Sequence, residues 1–149
     1  MLGNLLVEQR ALGVARVVEL GFGYGWHNTV DGLAWGVGDL LLRAKASQLD
    51  VQRHMDACLA HSHLWVRRVA MLHQLGWREQ TDQARLIRYA PALAPETDFF
   101  IRKAVGWALR DHARSQPDAV RTFLTQHAEQ LSGLTRREAG KHLDGIRGD

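Results

Sequence analysis

An acid, a guanidinium and an indole recur along this chain at close to one interval: Asp31, Arg68 and Trp107, separated by 37 and 39 positions. A carboxylate can stabilise a developing cation. A guanidinium presents a planar fork that fits a carboxylate or a phosphate, and an indole offers an electron-rich face to a cationic group. In helical-repeat proteins a helix pair with its turns takes about 40 residues, and stacked pairs present matching faces to one concave surface. The spacing therefore predicts a site, provided that helices carry all three residues.

Almost the whole chain reads as helix. Residues from about 3 to 20 form an amphipathic stretch, broken by GFGYGW at 21–26. Asn28 or Thr29 can cap a second helix that runs to about 46. A third is expected from near Asp50 to about His61, and a fourth over about 63–75, stopped by Gly76 in the left-handed position after a helix end. Thr81 opens a fifth, which Pro91 and Pro95 disrupt, and Thr97 and Asp98 start the strongest helical run, DFFIRKAVGWALRDHARS. Ser115 is a cap candidate before Pro117, which suits a first turn. Thr135-x-x-Glu138 reads as a capping box for a last helix ending near Asp144. About eight helices with short loops and no stretch of β period predict an all-α fold. The spacing favours a HEAT-like helical-repeat solenoid, an α-α superhelix, over a four-helix bundle.

On a helical wheel Asp31 shares its line with His27, Trp35, Gly38 and Leu42, which puts a carboxylate in the first turn of a helix on its apolar side, where the helix dipole favours an anion. A helix-start aspartate with only electrostatic work accounts for that placement equally. Arg68 is centred among Leu64, Trp65, Met71, Leu72 and Leu75, while Arg67 points elsewhere and is expected in solvent. A guanidinium in an apolar stripe needs a partner, because buried charge is costly. A carboxylate of the protein and a phosphate brought by a ligand both qualify. In the sixth helix Phe100, Lys103, Trp107 and Asp111 line one face with Arg110 at its edge, and Ile101, Val105, Ala108 and Leu109 cover another. Trp107 fits ordinary packing, but Lys103 one turn away makes an aromatic and basic surface of the kind nucleic-acid sites use.

Composition sets the bounds. At 149 residues with 46% apolar side chains the chain is one domain's worth and not a disordered one. Nineteen Lys and Arg against sixteen Asp and Glu leave a net charge of +3, which suits an anionic partner but also an Arg-rich soluble protein. Cys58 is the sole cysteine, so no internal disulfide forms and a reducing compartment is expected. The N-terminal sequence lacks the basic and cleavage features of a signal peptide, and no apolar run reaches transmembrane length. The expected location is cytoplasmic, with no membrane partner. His54, Cys58 and His61 fall at i, i+4 and i+7, but that span is about 10.5 Å of helix, too long for one ion. No metal site is expected. Gly21-x-Gly23-x-Gly25 has no preceding strand and is not a nucleotide-binding turn.

Four stretches, NTVDGLA (28–34), LWVRRVAMLHQL (64–75), FFIRKAVGWALRDHAR (99–114) and LTRREAGKHL (134–143), resemble in that order the motifs of the DNA alkylation repair family, the HEAT-like-repeat alkylpurine DNA glycosylases. The resemblance covers about residues 20–145, and the sixth-helix block is its most specific part. It implies hydrolysis of the N-glycosidic bond of N3- or N7-alkylated purines in double-stranded DNA, with no metal and no nucleotide cofactor. It assigns Asp31 to stabilising the cationic sugar-like transition state and positioning water, Trp107 to packing against the lesion-bearing backbone and sugar, and Arg68 to a DNA phosphate near the lesion. Lys103 joins Trp107 as a DNA-binding residue. Where the family commonly has tryptophan four residues before the aspartate, this chain has His27 with Trp26 just before it, so both enter the expected substrate-binding set. The chain begins near the middle of the family pattern, so residues 1–149 are expected to form a single repair domain lacking the family's N-terminal repeats. Its exposed first repeat is a candidate for self-association. A non-catalytic DNA-binding module and a protein–protein interaction solenoid are the competing functions.

Overall fold

The computed structural model describes residues 27–46 and 52–143, with the backbone alone for 27–30. Among these residues there are seven α-helices and no strand: α1 (His27–Ala46), α2 (Arg53–Cys58), α3 (Leu64–Leu72), α4 (Gln83–Leu93), α5 (Phe99–Ala113), α6 (Pro117–Gln126) and α7 (Gly133–Gly140), with a 3₁₀ turn at Arg78–Gln80. The all-α expectation holds. The stretch expected to be helical from about 3 to 20 and the GFGYGW segment lie outside the described residues. The chain divides into two compact units, Met1–His73 and Gln74–Asp149.

In the first unit α1 buries Ala34, Val37, Gly38, Leu41 and Ala44, a stripe at steps of three and one, and packs on α3. Its opposite face is wet: Asp39 and Arg43 pair at 3.0 Å one turn apart, and Trp35 is 55% exposed. The wheel line that joined Asp31 to Trp35 is therefore not the buried one. Asp31 continues the buried stripe instead, one turn before Ala34. Because the chain is already helical at His27, Asp31 lies more than one turn into α1 and not in the first turn, which carries no acid. The dipole contributes little there, since it fades beyond the first turn.

Helix α3 is buried on nearly every side, through Trp65, Val66, Arg68, Val69, Ala70, Met71 and Leu72. Its N-terminus is capped by His63, whose Nδ1 accepts from the Trp65 amide at 3.3 Å. Beyond its C-terminus, His73 Nδ1 lies 2.6 Å from the Ala70 carbonyl and Nε2 lies 3.0 Å from Gln52 Nε2. A carbonyl only accepts, so Nδ1 carries the proton and Nε2 receives the Gln52 amide, tying the start of α2 to the end of α3. Arg67 points away from the buried stripe as expected and is half-buried: Nη1 donates to the carbonyls of His61 at 2.8 Å and Ser62 at 2.9 Å, holding the loop before its own helix.

In the second unit Gly76 sits at φ 80°, as expected of a residue after a helix, and its amide donates to Asp111 Oδ2 at 2.9 Å. Asp82, one residue later than the expected Thr81, caps α4 by accepting from the Arg85 amide at 3.0 Å. Pro91 does not interrupt that helix. It sits in its last turn, where α4 ends two residues later. Asp98 caps α5 by accepting from the amides of Phe100 and Ile101 at 2.9 and 3.3 Å. Ser115 caps nothing: its hydroxyl donates back to the His112 carbonyl, Gln116 stands at the cap of α6, and Pro117 opens the helix.

The expected capping box at Thr135 is also overturned. Helix α7 begins at Gly133, and Ser132 is its cap, with extended backbone and an Oγ that accepts from the Thr135 amide at 3.1 Å. Thr135 is thus already inside the first turn, and its own hydroxyl donates across to the Arg102 carbonyl of α5 at 3.0 Å. That bond marks the main contact of the unit, α5 against α7. The two helices close most tightly at Gly106, where an added Cβ would stand 2.6 Å from Glu138 Cβ and 3.2 Å from the Thr135 carbonyl.

Candidate functional site

Asp31 and Arg68 form one unit of chemistry. Arg68 Nε donates to Asp31 Oδ1 at 2.9 Å and Nη2 donates to Oδ2 at 3.1 Å, a two-pronged pair across 37 residues of sequence. The Arg68 side chain is 1% exposed and that of Asp31 is 21%. Of the two partners the sequence left open for Arg68, the structure has the carboxylate. The guanidinium enters from beneath, out of the packed face of α3, and both oxygens take a bond from it, so the plane and direction of the carboxyl group are set. Two hydrogen bonds between full charges are the strongest the side-chain inventory offers. They compensate a desolvation that costs several kcal/mol per ion.

The second unit carries a different arrangement. On α5, Lys103 Nζ lies 5.7 Å from the centroid of the Trp107 ring and 5.8 Å from that of Phe99, within the range of cation–π attraction. The same Nζ donates to Glu138 Oε1 of α7 at 3.0 Å. Lys141 Nζ donates to that same oxygen at 3.1 Å, and Arg110 Nη1 approaches the other carboxylate oxygen at 3.5 Å. Burial pushes the Glu138 carboxyl up, but the bonds from Lys103 and Lys141 and then their charges outweigh it, leaving it below the ordinary glutamate value. Trp107 is half-buried, and Phe99 is 54% exposed. A cleft of about 350 Å³ opens between α4 and α6, lined by Gln83, Ile87, Thr122 and Phe123, and none of Asp31, Arg68, Lys103 and Trp107 lines it.

Residues 17–143 match the model of a protein family described as DNA alkylation repair enzyme. The chain belongs to this family. Among solved structures it is similar to a predicted DNA alkylation repair enzyme from Enterococcus faecalis, with a TM-score of 0.76 and 25% identity over 94% of this chain. It spans 66% of the length of that structure. No curated protein matches the sequence. Membership of the family supports a role in DNA repair, and the likeness makes the all-α fold a HEAT-like helical one.

Of the residues that the family resemblance picks out, Asp31 and Arg68 meet in the first unit, and Lys103 and Trp107 meet in the second. Trp26 lies outside the described residues, and His27 is described only as the first backbone position of α1. His61 does not share a helix with His54 and Cys58, because α2 ends at Cys58 and the His61 ring accepts from the His63 amide. Among the described residues no group of three His, Cys, Asp or Glu is placed to hold a metal ion. Nor is any described helix long and apolar enough to cross a membrane.

Sequence reasoning missed Glu138, which it spent on a capping box. The signal was present in the spacing of LTRREAGKHL, where Glu138 falls on the side of the helix that also carries the buried Thr135 and Ala139, with Lys141 three residues later.

Proposed function

We propose that this chain binds alkylated double-stranded DNA and hydrolyses the N-glycosidic bond of N3- or N7-alkylated purines, with Asp31 stabilising the transition state. The observation that carries the reading is the geometry of the Asp31–Arg68 pair. A buried ion pair is a poor way to gain stability, since apolar side chains of equal volume generally do as well or better. What it does achieve is a carboxylate held in one direction with a fifth of its surface still open.

An N3- or N7-alkylated purine is a cation. When its bond to C1′ breaks, the electron pair leaves with the base, which becomes neutral, and the positive charge passes to the sugar as an oxocarbenium ion. Water then adds at C1′ and loses a proton. A fixed anion stabilises that migrating charge more than it stabilises the ground state, because it is already oriented when the charge arrives. In this scheme Asp31 is the catalytic residue and orients the attacking water. Arg68 acts through Asp31, as a positioning residue; the pair supports this over the phosphate contact suggested by resemblance. Trp107 and Lys103 supply an aromatic face and a positive charge to the sugar–phosphate backbone. Trp26 and His27 join the substrate contacts on resemblance alone. The scheme consumes water and needs no cofactor.

The test is release of methylated purine from a methylated duplex by the wild-type chain and by Asp31→Asn, both checked for folding by circular dichroism. The expected result is a loss of about 10²-fold or more in the variant, the scale of removing one electrostatic stabiliser. Equal inactivity of two folded proteins refutes the enzyme. Salt-dependent duplex binding without base release would instead identify a non-catalytic DNA-binding module. No duplex affinity at all would point to a protein partner.

A further inference from the structure

We infer that Glu138 is a positioning residue that assembles Lys103, Arg110 and Lys141 into an anion site of the second unit, one that takes a phosphate of the DNA backbone. The inference rests on the DNA reading above for the identity of the anion, though the geometry of the site stands without it.

Three cations converge on one carboxylate. Glu138 is the most buried of the four, its side chain 7% exposed, while those of Lys103, Arg110 and Lys141 are 25%, 28% and 52% exposed. The two lysines donate to a single oxygen at 3.0 and 3.1 Å, so their ammonium groups stand no more than roughly 6 Å apart. Burying one carboxylate calls for one cation of opposite charge. The remaining two are surplus to that need and repel one another at this separation. Glu138 Oε2 has no hydrogen-bond donor, and Arg110 stands off it at 3.5 Å. The arrangement is therefore doubly positive, with its heads turned partly to solvent and its one negative charge underneath.

An anion on the exposed side completes it. Lysine ordinarily samples many rotamers, and that freedom is lost on binding a phosphate. Here the buried carboxylate has already fixed the heads, and the Gly106 approach and the Thr135–Arg102 bond fix the carboxylate. Trp107 lies beside Lys103 at 5.7 Å, so a sugar or base face can rest next to the phosphate contact.

The positioning role makes a prediction that charge alone does not. Glu138→Gln keeps the side-chain volume and adds one positive charge, so simple attraction would tighten DNA binding. Positioning predicts that it weakens. Affinity for an unmodified duplex of about 20 bp is measured by fluorescence anisotropy across about 50–200 mM salt. Lys103→Gln and Lys141→Gln are each expected to lower the salt slope by about one, and Glu138→Gln to weaken binding about three- to tenfold, the loss of roughly one phosphate contact. Glu138→Asp, which keeps the charge, recovers part of that loss. Glu138→Gln binding as tightly as wild type or tighter, or lysine variants with unchanged slopes, overturns the site. If Glu138→Gln fails to fold, the lysine slopes decide. A wild-type chain without duplex affinity refutes the proposed DNA function, and pyrophosphate then tests the anion site alone. A rise in melting temperature with millimolar pyrophosphate, lost in the two lysine variants, supports it. No rise in wild type overturns it.

Discussion

Gly106 lies in the middle of α5, where glycine is a poor helix former, and replacing it with alanine separates two opposing effects. Alanine should gain about 0.8–1 kcal/mol of helix propensity. Against this, its Cβ would lie 2.6 Å from Glu138 Cβ and 3.2 Å from the Thr135 carbonyl, where carbon atoms rest at about 3.5–4.0 Å. Relief requires a shift of about 1 Å in a helix seam pinned by the Thr135–Arg102 and Lys103–Glu138 bonds. Overpacking of this kind costs about 1–3 kcal/mol, so a net loss of up to about 2 kcal/mol is expected, a fall of up to about 8 °C in melting temperature. Gly36→Ala is the matched control: it is also mid-helix, but no atom of the described residues lies within 4 Å of the new Cβ. It should gain about 0.5–1 kcal/mol. Urea and thermal melts followed by circular dichroism compare the two. Gly106→Ala at or above wild-type stability, or both variants moving the same way, refutes the packing argument. Displacement of Glu138 also predicts weaker duplex binding by Gly106→Ala in the anisotropy assay.

Acid should destabilise the second unit in two stages. His112 is buried, and desolvation lowers its pKa against a smaller upward pull from Asp111. Its stability contribution is whole above the ordinary value of 6.5 and declines as pH falls from there through the lowered folded value, because the unfolded chain takes up the proton first. Glu138 is also lowered in the folded state, so its contribution is whole above about 4.5 and is lost only at more acid pH. Stability measured against pH in wild type and His112→Gln should differ in slope below pH 6.5, and identical slopes would contradict it. Arg68→Lys cannot reproduce the fork on Asp31 and should cost about 2 kcal/mol. A double-mutant cycle of Asp31→Asn with Arg68→Lys should return a coupling of about 1–3 kcal/mol; additive effects would deny the pair. Asp98→Ala removes two amide caps from α5 and should lower stability by about 1 kcal/mol in the same melts.

The elements were legible where chemistry is local. Asp98 as a cap, Pro117 in a first turn and Gly76 at positive φ follow from side chains acting on their own or adjacent backbone, so neighbours in sequence suffice to see them. Caps with close competitors were read wrongly. Thr135 and Ser132 both suit a helix start, and Ser132 prevails because the Thr135 hydroxyl is used by the Arg102 carbonyl of another helix. Wheel faces were half legible. The buried side of α5 came out as expected through Ile101, Val105, Ala108 and Leu109. On α1 Trp35 misled, because a large apolar residue is no proof of burial.

What the sequence determined on its own was the helical class, a few helix ends, the family motifs and the residue types available for chemistry, all properties of short segments or of composition. Which atoms answer which charges was decided only in three dimensions. A wheel shows that Arg68 needs a partner, but Asp31 is 37 residues away and is found only when α1 packs on α3. Lys103 reads as a cation beside a tryptophan, and only the close seam at Gly106 shows the buried Glu138 that holds it. Pairing across distant segments depends on packing geometry, and the energy of a buried charge depends on its surroundings more than on its neighbours in the chain.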